Sequence, residues 1–271
     1  MSTITIDQPA AGITRITLNR PDSLNAINEA LIGDLLKCFT ALNHDRQTRV
    51  VILTGAGKGF CAGADLKNSA AGPGSIPGTD GIGRLGYTYK FQEYLAELML
   101  AIHECDKPVI AAINGVAVGG GLALTLACDI RIASTKARFG SVFIKTGLSS
   151  CDVGTSYFLP RLIGASDAAE LMLTGRIIDA HEAKAMRLTS QTVAPDELAD
   201  AALAKAAMIA ENAEYGVWMT KKGLRSNIDA TSLRQAMELE NRTQVLGCFT
   251  GCMEEAMQAF QEKRPPQWPD L

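Results

Sequence analysis

The sequence predicts a mixed α/β fold, and three features of the chain indicate it. Two apolar segments, 49–54 and 109–118, each have the composition of a buried strand, and each leads into a glycine-rich turn. Segment 28–42 carries apolar residues at helical spacing. After Pro195 the chain is rich in Ala, Leu and Met and has no strand pattern. Strands and helices that alternate before residue 195 favour an α/β core, and the change in composition predicts a boundary near that residue.

The elements before the first glycine-rich turn begin with a hairpin. Residues 3–18 alternate in hydrophobicity around a turn at Pro9–Gly12, which predicts two antiparallel strands. Residues 19–25 predict a turn, and a helix follows from Asn28. Its apolar face is expected to consist of six residues, Leu31, Ile32, Leu35, Leu36, Phe39 and Leu42. Segment 49–54 then predicts a buried strand.

The middle of the chain contains a long loop and the central strand. Residues 68–86 are rich in Gly, Pro, Ser and Ala, and a loop of this length inside a domain is usually functional or mobile. A helix with apolar residues from Phe91 to Ile102 follows and ends before Lys107-Pro108. The run 109–118 predicts one buried strand, and small residues from about 122 to 128 predict a helix.

The remaining elements are shorter. The sequence predicts strands over 129–134 and 137–139, and a loop over 145–154 that enters a helix toward Leu162. Helices over 165–173 and 180–186 and a strand near 190–193 complete the region before the boundary. Everything after it is expected to be helical, apart from an irregular tail after Phe260.

The composition makes several classes of function improbable. The 271 residues are 47% apolar, enough for a sizeable core, and the formal net charge is −3. This charge does not favour nucleic acid or an anionic membrane as a partner. No apolar run approaches the ~20 residues of a membrane span, and no signal-peptide pattern is visible. Seven cysteines without regular spacing predict buried, reduced thiols in a cytoplasmic protein, including Cys248 and Cys252, with no metal set.

The triple glycine Gly119–Gly121 lies between the central strand and a helix of small residues. Glycine permits positive φ and close approach to a ligand, and a helix start presents free N–H groups and a positive dipole end. A dinucleotide-binding turn needs a third glycine where this chain has Leu124, and a P-loop needs a lysine that is absent. The turn predicts a site for a negative oxygen, on a phosphate or formed in a reaction. Close helix packing is the alternative reason for the glycines.

Another glycine-rich turn, the first along the chain, follows strand 49–54. It runs from Gly55 to Leu66 and has small residues at its tip. Two backbone N–H groups from separate turns that converge on one oxygen form an oxyanion hole. The pair of turns therefore favours a reaction site over a purely structural role.

The two turns resemble those of the crotonase superfamily, the enoyl-CoA hydratase/isomerase family. The resemblance rests on Gly59–Leu66 and Asn114–Gly121 and extends over about residues 10–195. Further matching segments occur in the same order, namely Asn19–Pro21, Leu24–Ala26, Cys128–Arg131 and Leu173–Gly175. The resemblance implies a spiral core of repeated β–β–α turns over 1–195. It also implies a C-terminal helical region, 196–271, that builds a trimer or a dimer of trimers.

The same resemblance implies which residues act on an acyl-CoA substrate. The oxyanion donors would be the backbone N–H groups of Ala64 and Gly120, which bind an enolate oxygen more strongly than a ground-state carbonyl. Matching positions around the CoA moiety are Leu24, Ala26, Ala62, Asp65, Leu66 and Lys67. Lys67 could meet a phosphate or be a solvated surface residue. CoA would be part of the substrate, so no separate cofactor is expected, and loop 68–86 would border the acyl pocket.

Two glutamates of the family's hydratases are absent. One follows the triple glycine by two residues, where this chain has Ala123, and the other corresponds to Phe143. Asp152, just before a helix, matches a catalytic aspartate of dienoyl-CoA isomerases and of 4-chlorobenzoyl-CoA dehalogenase. Its alternative role is that of a helix N-cap. As an acid–base group it should have a pKa raised by an apolar pocket. Glu240 is a remote candidate for a second acid.

Three hypotheses remain open at the level of sequence. The first is an enzyme that isomerises or hydrates an enoyl-CoA in fatty acid metabolism, with Asp152 as the proton carrier. The second is other thioester chemistry on the same scaffold, such as dehalogenation or C–C cleavage. The third is a non-catalytic acyl-CoA-binding protein. Cys61 and Cys151 flank the expected site, but no histidine is near in sequence to activate either thiol.

Overall fold

The strands of the protein form two sheets. The structure is a computed structural model that describes residues 2–65 and 75–271. Its strands are β1 (Ile4–Ala10), β2 (Ile13–Leu18), β3 (Val50–Gly55), β4 (Gly59–Cys61), β5 (Val109–Ile113), β6 (Val116–Val118), β7 (Ile130–Ser134), β8 (Arg138–Gly140), β9 (Ile178–Asp179) and β10 (Gln191–Val193). The first sheet has the order β1-β2-β3-β5-β7-β10, and the second has the order β4-β6-β8-β9.

From β3 to β8, successive strands alternate between the two sheets, which gives the core its spiral form. The β1–β2 hairpin is antiparallel, as predicted, and every later pair in the first sheet is parallel. In the second sheet β4, β6 and β8 are parallel, while β9 is antiparallel to β8. Each of the pairs β3/β4, β5/β6 and β7/β8 therefore places one strand in each sheet. The α/β class predicted from the sequence is confirmed.

The run 109–118 is not one strand, and that prediction was wrong. It divides at Asn114-Gly115 into β5 of the first sheet and β6 of the second. A Cβ atom on Gly115 would lie 2.0 Å from the carbonyl oxygen of Lys58, so the chain passes too close to its neighbour for any side chain. The break redirects the chain toward the triple glycine.

The helices begin and end close to the predicted positions. They are α1 (Glu29–His44), α2 (Arg84–Glu104), α3 (Gly120–Ala127), α4 (Thr155–Ile163), α5 (Ala165–Thr174), α6 (Ala180–Ala185), α7 (Leu198–Ala210), α8 (Glu214–Asn227), α9 (Leu233–Gly247) and α10 (Cys252–Glu262). Asn28 caps α1, since its side chain accepts a hydrogen bond from the Leu31 N–H. Helix α2 begins at Arg84, inside the predicted loop 68–86, of which residues 68–74 lie outside the described residues.

In the described part of the chain, two apolar cores hold the elements together. The larger one lies between the two sheets and helices α1 to α3, and it contains the buried face of α1. The smaller one lies between the first sheet and α7, where Leu198, Ala202 and Ala206 pack against the strands. Among the described residues, no helix combines the length and the apolar character needed to cross a membrane.

Helices α8 to α10 leave many large apolar side chains exposed. The exposed residues on these helices and the loops between them include Leu224, Ile228, Leu233, Met237, Val245, Leu246, Phe249, Met253, Met257 and Phe260. Cys248 is also exposed and Cys252 is only partly buried, so the prediction that all seven thiols are buried was wrong for these two and for Cys151. These side chains form an apolar surface that the described part of the chain leaves uncovered.

Candidate active site

The two glycine-rich turns meet in space, as expected from their positions after paired strands. β4 and β6 are parallel neighbours, with Cys61 opposite Ala117, so the turns that follow them lie side by side. A Cβ atom on Gly63 would lie 2.9 Å from the carbonyl oxygen of Val118 and 3.4 Å from the amide nitrogen of Gly120. Gly63 has φ of +87°, which favours glycine. The peptide that joins Gly63 to Ala64 therefore lies close to the first amide of α3.

The glycines of the triple run serve different purposes. A Cβ atom on Gly121 would lie 2.0 Å from the carbonyl oxygen of Cys61, so α3 packs directly on β4. Gly119 instead has room for a Cβ atom, whose nearest neighbours would be Val142 at 3.6 Å and Phe143 at 3.8 Å, but its φ is +54°. Close packing accounts for Gly121, and backbone conformation accounts for Gly119. Neither reason alone covers the whole motif.

The amides of Ala64 and Gly120 have no acceptor within the described residues. Gly120 is the first residue of α3, where a helix leaves its N–H groups without an intrahelical partner. Ala64 is exposed, while hydrogen bonds on both sides hold its backbone: Ile27 donates to the Gly63 oxygen at 2.7 Å, and Asp65 donates to the Ile27 oxygen at 2.9 Å. Two free donors thus occur on adjacent and well-fixed turns, an arrangement suited to one negatively charged oxygen.

Asp152 lies in the turn before α4, and its side chain contacts α2. Its Oδ1 accepts a hydrogen bond from Nε2 of Gln92. Burial raises the pKa of the Asp152 carboxyl above its ordinary value, although the hydrogen bonds from Gln92 and from the Val153 N–H act in the opposite direction. The N-cap of α4 is Gly154, with no side-chain cap bond. Capping therefore does not account for the aspartate.

The backbone beside Asp152 is strained. Val153 has φ of +38°, a region that β-branched residues rarely occupy. Its side chain is buried in the larger core, and the Thr155 N–H donates to the Asp152 carbonyl oxygen at 2.8 Å. Strain of this kind costs about 1–3 kcal/mol and persists where the surroundings impose it, often at functional sites.

The two positions that carry glutamate in the family's hydratases differ in their burial. Ala123 is fully buried in the second turn of α3, in the larger core. Phe143 is half-buried in the 3₁₀ turn Val142–Thr146 and packs on the same core close to Gly119. Glu240, the remote candidate, accepts a hydrogen bond from Asn227 at 3.1 Å on the C-terminal helices. Burial raises the pKa of the Asp152 carboxyl group, so Asp152 remains the candidate acid–base group.

The residues expected around CoA lie beside the first glycine-rich turn, apart from two. Leu24 is exposed, Ala26 is buried, and the Ala62 N–H donates to the Leu24 oxygen at 3.0 Å. Asp65 is buried and forms an ion pair with Arg20 at 2.7 Å, so its carboxylate stabilises the turn. Leu66 and Lys67 lie outside the described residues.

Arg20 and Asn25 support this turn, and the sequence reasoning assigned them no role. Asn25 is fully buried and donates to the carbonyl oxygens of Ala56 and Gly59 at 3.0 and 2.9 Å. Its φ of +57° is one that asparagine tolerates better than most residues. Arg20 also donates to the Ala26 oxygen. The signal available in the sequence was an asparagine within the turn-forming segment 19–25.

The structure gives little support to a reactive thiol or a metal centre at this site. Burial raises the pKa of the Cys61 thiol to about 12, which keeps it protonated and unreactive. Cys151 is exposed. Within residues 2–65 and 75–271, no group of three or more His, Cys, Asp or Glu side chains could hold a metal ion.

Comparisons with known proteins agree with this architecture. The chain is 40% identical over 271 residues to a probable enoyl-CoA hydratase of Mycobacterium bovis. The alignment covers all of this chain and 94% of that protein. It is 35% identical over 257 residues to the 1,2-epoxyphenylacetyl-CoA isomerase of Escherichia coli, with 95% of each chain covered. A crystal structure of a probable enoyl-CoA hydratase/isomerase from Mycobacterium abscessus superposes with a TM-score of 0.92 at 39% identity, over 99% of both chains.

The fold and the paired turns define a crotonase-fold protein. The family model "Enoyl-CoA hydratase/isomerase" matches residues 8–270, so the chain belongs to that family of enzymes. The family predicted from the two glycine-rich runs is thereby confirmed, as is the mixed α/β spiral with a helical C-terminal region.

Proposed function

We propose that this enzyme isomerises or hydrates the double bond of an enoyl-CoA thioester, with the Ala64 and Gly120 amides as the oxyanion hole and Asp152 as the acid–base group. The observation that carries the proposal is the meeting of the two turns, with a Cβ position on Gly63 only 3.4 Å from the Gly120 nitrogen. The raised pKa of Asp152 supports its part in the reaction.

The chemistry follows from the acidity of a thioester. Hydrogens next to the carbonyl, or conjugated to it through a double bond, leave as protons because the remaining charge moves onto the carbonyl oxygen. The two amides stabilise that oxygen more strongly as its charge grows, and loss of one such donor typically costs about 10²–10³ in rate. The carboxylate of Asp152 accepts the proton from one carbon and returns it two carbons away, which shifts the double bond.

Isomerisation through one carboxyl group is better supported than a hydration mechanism that uses two acids. The alternative needs a second acid to position water, and the two positions that carry glutamate in hydratases hold Ala123 and Phe143 here. Hydration by one carboxylate with an ordered water uses the same atoms, so it remains within the proposal.

The CoA part of the substrate is proposed to lie along the first glycine-rich turn. The proposed contacts are Leu24, Ala26, Ala62 and Asp65, together with Leu66 and Lys67, which lie outside the described residues. The bond from the Ala62 amide to Leu24 supports this placement because it joins two of these contacts. No separate cofactor takes part, since CoA belongs to the substrate.

We further propose that residues 196–271 form an assembly region that builds a trimer or a dimer of trimers beside the core of residues 1–195. The exposed apolar side chains of α8 to α10 support this, since patches of this kind usually mark interaction surfaces. We also propose that the enzyme works in the cytoplasm, in fatty acid metabolism. The seven free cysteines are consistent with a reducing compartment.

The test uses three thioesters with the wild type and Asp152→Asn. Crotonyl-CoA reports hydration, a 3-enoyl-CoA reports isomerisation, and a dienoyl-CoA reports the longer shift. The turnover rate of Asp152→Asn is expected to be lower by a factor of about 10²–10⁴, with CoA binding unchanged. Asp167→Asn, an exposed change on α5, is the matched control. Tight binding without turnover of any thioester by the wild type would favour a non-catalytic binder instead.

A second candidate function is other thioester chemistry on the same scaffold, such as dehalogenation or C–C cleavage. This second candidate is supported by the relative named 1,2-epoxyphenylacetyl-CoA isomerase, at 35% identity, because that name describes a reaction other than hydration. Turnover of such a thioester, but of none of the three enoyl-CoA substrates, would support it.

A further inference from the structure

Asp152 has a side-chain partner that lies 60 residues away in the sequence. Gln92, on α2, donates a hydrogen bond from Nε2 to Oδ1 of Asp152. Gln92 is three residues before Leu95 and seven before Met99, both of which are buried, so it lies on the face of α2 that points toward the core. It is itself exposed, and it therefore lies where that face reaches the surface.

Backbone contacts fix the turn at Asp152, but they hold its carboxyl group from one side only. The buried side chain of Val153 and the bond from Thr155 to the Asp152 carbonyl oxygen hold the main chain. The Val153 N–H also donates to the carboxylate from within the same turn. Gln92 is the contact from a different element, and a second point of attachment is what determines the direction of a carboxyl group.

We propose that Gln92 is a positioning residue for the proton transfer, a role that rests on the proposed function of Asp152. A glutamine suits this role because its amide has both a donor and an acceptor end. The NH₂ group donates to the ionised carboxylate, and the same amide turned over accepts from the protonated acid. It can therefore keep contact in both states through which a proton carrier passes. A cation at this place would favour the carboxylate alone.

The surroundings leave this contact without a competing charge. On α2 the titratable and charged side chains are Arg84, Tyr87, Tyr89, Lys90, Glu93, Tyr94, Glu97, His103 and Glu104; the turn adds Cys151, α4 adds Tyr157 and Arg161, and α8 approaches with Arg225. Lys90 and Glu93 pair with each other, and Arg161 pairs with Asp229. Among the described residues, none of them bonds to Asp152, so Gln92 is the side chain expected to set its orientation.

The experiment compares the pH profile of kcat/KM for wild type, Gln92→Leu and Gln92→Glu, with the 3-enoyl-CoA as substrate. Loss of the donor makes the carboxylate less stable, so Gln92→Leu should move the acidic limb up by about one pH unit. It should also lower kcat roughly tenfold through poorer orientation, with KM within about twofold. Gln92→Glu keeps the side-chain length and adds a like charge, so its acidic limb should move further up.

Two further variants make the outcome decisive. Glu97→Leu places leucine at an exposed position on the same helix and should keep the wild-type profile. In the Asp152→Asn background, Gln92→Leu should cause no further loss, because the two residues act as one unit. If Asp152→Asn is inactive while both Gln92 variants keep the wild-type limb and kcat, the role of Gln92 is refuted and the proposed function stands. If Asp152→Asn remains active, both proposals are refuted.

Discussion

Gly121→Ala tests whether the closeness of the two turns matters for the reaction. The Cβ atom of an alanine would lie 2.0 Å from the carbonyl oxygen of Cys61, about 1 Å closer than a Cβ atom approaches an oxygen. Because the neighbour is backbone, α3 and β4 must separate by roughly that distance. The Gly120 amide lies at the start of α3, and Ala64 follows β4, so the separation moves the two donors apart. Misplacement by about 1 Å can cost around 10²-fold in rate.

The assay is steady-state turnover of the 3-enoyl-CoA, with folding checked by thermal unfolding. Gly121→Ala should lower kcat about 10²-fold while KM changes little, and overpacking should lower stability by about 1–3 kcal/mol. Gly86→Ala is the control, since its nearest neighbour would be Ile82 at 3.6 Å and alanine is the better helix former. A folded Gly121→Ala protein with kcat within twofold of wild type would refute the reasoning.

Three further predictions concern the supports of the site and Asp152 itself. Val153→Gly should be more stable than Val153→Ala by about 1 kcal/mol in chemical denaturation, since both lose the buried side chain but only alanine keeps the strain at φ +38°; the reverse order would contradict the strain. Arg131→Met should lower the free energy of unfolding by about 3 kcal/mol or more, because buried Arg131 donates to the carbonyl oxygens of Leu188, Thr125, Cys128 and Asp129; a loss below about 1 kcal/mol would contradict this. Asp152→Asn should raise Tm relative to wild type at neutral pH. Burial raises the pKa of Asp152 in the folded state, so ionisation of this carboxyl group at neutral pH favours the unfolded state, and asparagine removes that cost. That advantage should shrink as pH falls toward 4, and a Tm difference independent of pH would contradict it.

The sequence predicts an element well when a single apolar face of that element packs on a single core. The apolar spacing of α1 and its Asn28 cap are local features, and both appear in the structure as expected. The run 109–118 was misjudged because its apolar residues continue through the break, and only Asn114-Gly115 marked the passage to the second sheet. Helix α3 begins at Gly120, two residues before the predicted start. Glycine is a poor helix former, but the first position of a helix leaves its amide unpaired in any case.

The site was predictable in part. The glycine-rich runs indicated two turns, and parallel pairing of β4 with β6 is what brings them together. The contact between Gln92 and Asp152 joins elements 60 residues apart, which spacing within either element does not encode. The pairing of Arg20 with Asp65 was likewise invisible, since both residues have the composition of a solvated surface until the turn buries them. The exposure of Cys151 and Cys248 was missed because composition does not show whether the turn before α4 or the end of α9 leaves a thiol in solvent.

The most direct measurement is a crystal structure of the enzyme with a bound, non-reactive acyl-CoA analogue. The thioester oxygen is expected about 2.7–3.1 Å from both the Ala64 and the Gly120 nitrogen, the range for hydrogen bonds to an oxyanion. The carboxyl group of Asp152 is also expected within about 3.5 Å of a carbon from which a proton is removed. A thioester oxygen held by other groups, or an Asp152 side chain directed away from the acyl chain, would contradict the account.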